Sequence, residues 1–195
     1  MRRTTDENAP VLEIHPTAVI HHTVLFFGCG TITVGRNSRI DAYTIISSGL
    51  EGIEIGRWVH IGSHVAIHGA GAKVKLGDGV SLSGRVSIYT SNDDFSSGVL
   101  IGPTFADKYR NVQNRPVLLE LCVAVGVGSV ILPGVTMFRG AACGAMCVVR
   151  RDVVAGDLVV GNPQVVFGKR DLMRLESLWR EHSDEDLENL KEGIA

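Results

Sequence analysis

The chain has 195 residues, enough for one domain with a core of its own, and no stretch approaches the roughly 20 apolar residues of a membrane span. Its 19 Lys and Arg against 21 Asp and Glu leave a formal net charge of −2, which supplies no basic field for nucleic acid. A hydrophobic content of 45% argues against disorder, and 23 glycines beside 6% aromatics favour thin, repetitive β architecture over a thick core.

The chain opens on "MRRTTDENAP", which lacks the apolar run of a signal peptide. Residues 1–13 are expected to form an amino-terminal arm, and the protein is expected to be cytoplasmic. From there, branched or large apolar residues recur at every sixth position, which neither the 3.6 period of a helix nor plain alternation explains. They run Ile14, Ile20 and Phe26, then Val34, Ile40 and Ile46, then Ile55, Ile61 and Ile67, then Leu76, Leu82 and Ile88. The count resumes at Leu119, Val125 and Ile131 and ends with Met137, Cys143 and Val149. Nearly every anchor is followed four places on by a small or β-branched residue, such as Val59, Val80 or Cys147. Three hexads make one triangular coil, and successive coils stack as parallel strands about 4.8 Å apart. The period predicts six coils, 14–31, 34–51, 55–72, 76–93, 119–136 and 137–154, with the anchor and the residue four on pointing inward.

Between the fourth and fifth coils the rhythm stops for residues 94–116, a long inserted loop of the kind that usually serves function. Past "GNP" (161–163), Leu172, Leu175 and Trp179 fall at helical spacing, and "SDED" from Ser183 to Asp186 matches a capping box opening a second short helix. This helical tail, 169–195, is expected to cover the open end of the solenoid, with a part in cofactor binding or subunit contacts as the other reading. Of the four cysteines, Cys29, Cys122, Cys143 and Cys147, none has zinc-finger or paired-disulfide spacing, and the last two are inward-facing hydrophobes of the hexad.

The vocabulary "IG-x-x-V-x-IG", "ILPGV-T" and the terminal "GNP" resembles the hexapeptide-repeat acyltransferases, and within them the sugar acetyltransferases that act on maltose, galactosides, nodulation factors and surface polysaccharides. The resemblance is strongest from "VKLGDGVSLSGRVSIYTSNDD" onward. It implies an all-β fold, a left-handed parallel β-helix over 14–168, although the general rule for parallel crossovers predicts right-handed coils. It also implies a homotrimer, a site between subunits, acetyl-CoA as co-substrate, no metal, and a sugar amine or hydroxyl on a nucleotide sugar or a growing polysaccharide as acceptor. Carried over by position, Gly144 and Ala145 of "GAMCVVRR" lie along the pantetheine arm and Arg150 and Arg151 near the phosphates. Lys169 and Arg170 resemble the basic residues offered to the adenosine end, the alternative being a solvated basic turn. Backbone N–H groups from Gly126 to Ser129 are candidates for stabilising the oxyanion.

The family carries a catalytic histidine at the start of the interrupting loop, where "YTSNDDF" has Asp93, flanked by Asn92 and Asp94. An ordinary carboxylate is a poor base for a hydroxyl, whereas an amine is already nucleophilic and needs only orientation. Asp93 therefore suits an amino sugar, with Tyr89, Asn92 and Asp94 as acceptor-binding neighbours; the competing reading is an Asx turn made by Asp93 and Asp94. His68, one coil below, is the alternative base for a hydroxyl. His60, His64 and His68 also raise a gamma-carbonic-anhydrase-like zinc enzyme, but they fall at different hexad positions and should diverge. A non-catalytic scaffold is the remaining alternative, and "HPTAVIHH" reads as an exposed first coil.

Overall fold

The period of six closes into a three-faced β-solenoid, seen in a computed structural model that describes residues 9–191. Its first coil is β1 (Val11–Ile14), β2 (Val19–Ile20) and β3 (Leu25–Gly28), and its second is β4 (Thr31–Val34), β5 (Arg39–Ile40) and β6 (Ile45–Ser48). The third comprises β7 (Ile53–Ile55), β8 (His60–Ile61) and β9 (Ala66–Gly69), and the fourth β10 (Val74–Leu76), β11 (Ser81–Leu82) and β12 (Ser87–Tyr89). There the chain leaves along β13 (Ser91–Asp93) and returns along β14 (Val112–Asn114), the two pairing antiparallel. Two more coils follow, β15 (Val117–Leu119), β16 (Ala124–Val125) and β17 (Val130–Ile131), then β18 (Thr136–Met137), β19 (Ala142–Cys143) and β20 (Val148–Val149). Val153 then bridges Met137, β21 (Asp157–Val160) begins a seventh turn, β22 (Val165–Lys169) folds back antiparallel on β21, and α1 (Leu172–Lys191) ends the described chain. The first and third faces are six-stranded, and the second is eight-stranded because β21 and β22 extend it.

The anchors from Val34 onward are buried; Leu50, Gly71 and Asn92, at the corner after the third face, stay outside, but every other residue four places on is buried too. Where such a partner is polar, its hydroxyl bridges coils inside the core: Ser38 donates to the Gly56 carbonyl at 2.8 Å, Thr44 to Gly62 at 3.0 Å and Ser129 to Gly144 at 2.9 Å. Buried hydroxyls must find partners, and the neighbouring coil's corner carbonyl is the nearest. The first coil differs, since it has a neighbour on one side only: Ile14 is 38% exposed, and Ile20 and Phe26 are half-buried. Its exposed turns are held by His15 and His21, whose Nδ1 atoms sit 3.0 and 2.9 Å from the Thr17 and Thr23 hydroxyls. The first strand starts at Val11, within the segment expected as an arm, and residues 1–8 of that segment lie outside the described residues.

The tail corrects two expectations. Rather than two helices broken at Ser183, α1 is continuous over 20 residues. Leu172, Leu175, Trp179, His182 and Asp186 form one stripe at helical spacing, and the charge of its last member hides the continuity in the sequence. Nor does α1 cover the open end: it runs down the corner between the first and second faces. That corner presents Gly79, Gly140 and Gly156, all at positive φ. A Cβ on Gly79 would stand 2.7 Å from the Trp179 ring, and one on Gly140 2.9 Å from the Leu175 side chain. Left-handed corners and bare glycines together make the channel that seats the helix. At its far end Asp186 forms a buried ion pair with Arg36 and accepts from Asn37 Nδ2 and Trp58 Nε1, both at 3.3 Å. From Leu172 to Asp186 a helix rises about 21 Å, which matches roughly four to five coil spacings.

Candidate active site

The insertion opens at the corner between the third face and the next coil's first face. Thr90 marks the exit: its backbone N–H and its hydroxyl both donate to the His68 carbonyl at 3.0 Å, and its hydroxyl oxygen accepts from the Gly71 and Ala72 amides at 3.2 Å. Ser91–Asp93 then pairs with Val112–Asn114, placing Asp93 opposite Val112. Gly71 forms the floor, since any Cβ there would overlap the Ser91 hydroxyl and the Asn114 amide, which hydrogen-bond each other at 2.8 Å. Between this stem and the Ala70–Gly71 turn lies an open cavity of about 480 Å³, lined by Ser91, Asp107, Arg110, Val112 and Asn114.

Asp93 accepts from Arg110 Nη2 at 3.1 Å through Oδ1, and both side chains are largely buried, at 21% and 13% exposure. Arg110 follows the single 3₁₀ turn of the loop, Asp107–Tyr109. Sequence reasoning missed it, since nothing in an aperiodic loop ties position 110 to position 93. Asp94 is the Asx residue of the pair. Its Oδ1 accepts from the Ser96 amide at 2.8 Å, the Ser96 hydroxyl at 2.7 Å and the Ser97 amide at 3.2 Å, and its Oδ2 from Asn111 Nδ2 at 2.8 Å. These donors, those of Ser96 foremost, hold the exposed Asp94 carboxyl well below the usual carboxylate range. Asp94 therefore shapes the loop, whereas Asp93 faces the cavity's arginine.

His68 lies on the third face in register with Tyr89, and the rings stack at 4.6 Å between centroids and 17° between planes. Burial pushes the His68 imidazole below its ordinary value, so it is neutral at pH 7. Asn92, paired with Gln113, points its exposed side chain away from the core. The other two histidines of the trio diverge: His60 Nε2 meets Asp41 at 2.9 Å, and His64 stacks on Tyr43 at 5.2 Å. Among the described residues no three His, Cys, Asp or Glu side chains converge as a metal site.

The residues expected along the acyl donor separate. Gly144 and Ala145 occupy the corner before β20, and Arg150 and Arg151 the corner after it. The backbone amides of Arg150 and Arg151 donate to Gln164 Oε1, leaving both exposed guanidinium groups beside a cavity of about 250 Å³ shared with Pro163 and Gln164. Lys169 instead meets Asp157 at 3.3 Å, and Arg170 turns into the helix-bearing corner, where Nη1 donates to the Cys122 and Gly140 carbonyls, both at 3.0 Å. Arg170 thus clamps coils together, since two carbonyls of adjacent coils lie within reach of one nitrogen. At Gly126–Ser129 three of the four amides are already bonded: Gly126 to Cys143 at 2.9 Å, Gly128 to Gly84 at 3.0 Å and Ser129 to Gly126 at 3.3 Å. The Ser129 side chain is fully buried, so its hydroxyl is a core bridge. Burial and its neighbour Cys143 push the Cys147 thiol up to about 11, away from the thiolate a nucleophile needs.

These features can be set against known proteins. No family model matches the chain. The dTDP-4-amino-4,6-dideoxy-D-glucose acyltransferase of Escherichia coli is 38% identical over 157 residues, which cover 80% of this chain and 81% of that protein. The chain belongs to the hexapeptide-repeat sugar acyltransferases. AntD, an N-acyltransferase from Bacillus cereus solved with dTDP and 3-hydroxybutyryl-CoA, matches this acyltransferase with a TM-score of 0.73 at 30% identity, over 90% of this chain and 91% of that one. A serine variant of AntD holding dTDP-4-amino-4,6-dideoxyglucose and Coenzyme A gives a TM-score of 0.69 at 29% identity, over 89% and 91%. Among the described residues of the acyltransferase, no helix is long and apolar enough to cross a membrane.

Proposed function

We propose that this acyltransferase moves a short acyl group, acetyl in the first instance, from CoA to the amino group of a dTDP-linked amino-deoxysugar. The observation that carries the reading is Asp93, a carboxylate held at 3.1 Å by Arg110, which itself lines the cavity under the inserted loop. The E. coli relative is named for such an acceptor and AntD was solved with one, which supports the choice of an amine over a hydroxyl.

The chemistry asks little of the protein beyond placement. The amine lone pair attacks the thioester carbonyl carbon, the N–C bond forms, the C–S bond breaks, and the proton shed by nitrogen is matched by the thiolate released. Asp93 orients the amine through a hydrogen bond and receives the developing positive charge on nitrogen. Ser91 and Asn114 offer hydroxyl and amide groups suited to sugar hydroxyls, and Tyr89 stacks on neutral His68 at the end of the third face, just before the exit corner. The acyl donor is a co-substrate whose thioester supplies the activated carbonyl. Arg150 and Arg151 fit its phosphates, because two exposed guanidinium groups beside an open cavity form charge-assisted bonds without displacing a structural partner. They stand two ladder steps above the exit corner, through the Ser87, Val130 and Val148 register, or about 10 Å along the axis.

A homotrimer is part of this reading. The outward column of the third face runs Leu25, Ile45, Ala66, Ser87, Val130 and Val148, uncharged throughout. The first and second faces instead present Glu54 and Lys75, and Arg39 and His60. An uncharged, flat face is the one suited to packing against a second copy. The test is free CoA release, followed by thiol titration, with acetyl-CoA and either dTDP-4-amino-4,6-dideoxyglucose or its 4-hydroxy counterpart. Release with the amino sugar alone is expected; release with the hydroxyl sugar alone would replace N-acylation by O-acylation with His68 as base.

A further inference from the structure

Among the described residues two arginines, Arg36 and Arg110, keep a buried nitrogen without a partner; Arg36 is paired with Asp186 of α1, whereas Arg110 lines the open cavity. Arg57 forms a two-nitrogen clamp on Asp78, with Nε at 2.9 Å and Nη2 at 2.7 Å, and Arg170 gives one nitrogen to two carbonyls. The Arg110 side chain is only 13% exposed, yet only Nη2 is well matched. Its Nε–H is buried without a partner, and Nη1 lies 3.8 Å from Asp107, whose side chain is fully in solvent. A buried guanidinium with unmatched donors costs the fold stability, so its placement calls for another reason. The stem supplies its position: the Asp94 amide donates to the Asn111 carbonyl at 2.9 Å, which fixes the chain next to Arg110 against the chain next to Asp93.

We infer that Arg110 is a positioning residue for acyl transfer, acting through Asp93 on the acceptor amine. The inference rests on the reading of Asp93 given above. Two physical effects follow from the contact. Terminal carboxylate torsions are broad, and pinning Oδ1 fixes the carboxylate plane, so that Oδ2, which has no protein donor among the described residues, meets the amine from one direction. The second effect is on charge. A lone, half-buried carboxylate beside the acceptor favours the ammonium form, which has no lone pair to attack with. The guanidinium offsets that charge, leaving a nearly neutral pair that binds the free amine without trapping its protonated form. The return limb of the inserted loop therefore belongs to the site, 17 positions after the residue it serves.

The experiment compares the full-length wild type with Arg110→Ala, Arg110→Lys and Asp93→Ala, using acetyl-CoA and dTDP-4-amino-4,6-dideoxyglucose. Readouts are kcat against pH, the KM for acetyl-CoA and the melting temperature. Arg110→Ala is expected to lower kcat roughly 100-fold and to move the acid limb of the kcat profile up by about one pH unit, with the acetyl-CoA KM within about twofold. Arg110→Lys, which keeps the charge but loses the fork, is expected to lose about tenfold with the acid limb unmoved. A merely structural role would lower kcat and melting temperature together without moving the limb, and that result overturns the inference, as does wild-type kcat in both variants while Asp93→Ala is inactive. Near-wild-type turnover in Asp93→Ala overturns the underlying reading itself. If Arg110→Ala has no thermal transition, Arg110→Lys decides: a tenfold loss with unchanged melting supports the inference, and wild-type kcat ends it.

Discussion

Two corners of the same solenoid use charge differently. At the helix-bearing corner charge ties α1 to the coils: Arg170 sits on two carbonyls and Asp186 among Arg36, Asn37 and Trp58, with one buried Arg36 nitrogen left unmatched. Glycines at the left-handed positions let α1 lie flush against the coils. At the corner that carries the insertion, the chain swings out instead, an open cavity remains, and its ion pair keeps an unmatched nitrogen on Arg110. The helix-bearing corner repeats one left-handed turn from coil to coil, at Asn37, Trp58, Gly79, Cys122 and Gly140, whereas the third corner varies in length even before the insertion. What also differs is whether the space outside the turn is filled: α1 fills it at one corner, and a cavity of about 480 Å³ stays open beside Arg110 at the other.

The comparison breaks hardest at Asp186. Replacing it by Ala leaves Arg36 buried without its partner and is expected to cost about 3 kcal/mol of stability, read by thermal or urea unfolding, while turnover below the transition is unchanged. Gly79→Ala should cost about 2 kcal/mol, because the new methyl meets the Trp179 ring at a φ of +67°. Gly71→Ala moves the balance to the other corner. Its φ suits any residue, so stability should change little, but the stem must shift off its floor, and turnover is expected to fall about tenfold. An unchanged kcat would separate the stem from the site.

Smaller effects come from titration. The His68 imidazole is held below its ordinary 6.5 by burial, so its NMR titration midpoint should fall under that value and rise toward it in Tyr89→Ala, which uncovers the ring. The folded state binds this proton less readily than the unfolded chain, so stability from this group is greatest above the unfolded value and declines as pH falls through the folded one. Asp94 has the carboxylate sign. Its lowered folded value means that the loop's support is complete above about pH 4 and fades only as pH falls further. Proteolysis of the loop should therefore be constant between about pH 5 and 9, and the acid step below pH 4 should vanish in Asp94→Asn.

Much of this was legible in the sequence because a solenoid writes its core at a fixed interval. Ile61, Leu82 and Val125 are successive rungs of one ladder, and each is a hexad anchor. Asp93 stands out in the sequence for another reason, as a departure from the histidine that the family resemblance implies. The rest failed where one residue type serves two ends. Ser129 reads as a turn amide but its side chain is a core hydroxyl, Arg170 reads as a residue for the adenosine end but clamps coils, and Asp186 reads as part of a cap but lies within a helix that reaches Arg36. Arg110 could not be read at all, because only the antiparallel stem at 91–93 and 112–114 brings it to Asp93.

The central claim is that a carboxylate at Asp93, rather than a histidine, handles the acceptor. Its most direct test is kcat/KM for the amino-sugar nucleotide in Asp93→Ala and His68→Ala, measured side by side with melting curves. The account predicts a fall of about 100-fold or more in Asp93→Ala at unchanged melting temperature, and a fall of less than about tenfold in His68→Ala. The reverse order, with Asp93→Ala active and His68→Ala dead but folded, would contradict it.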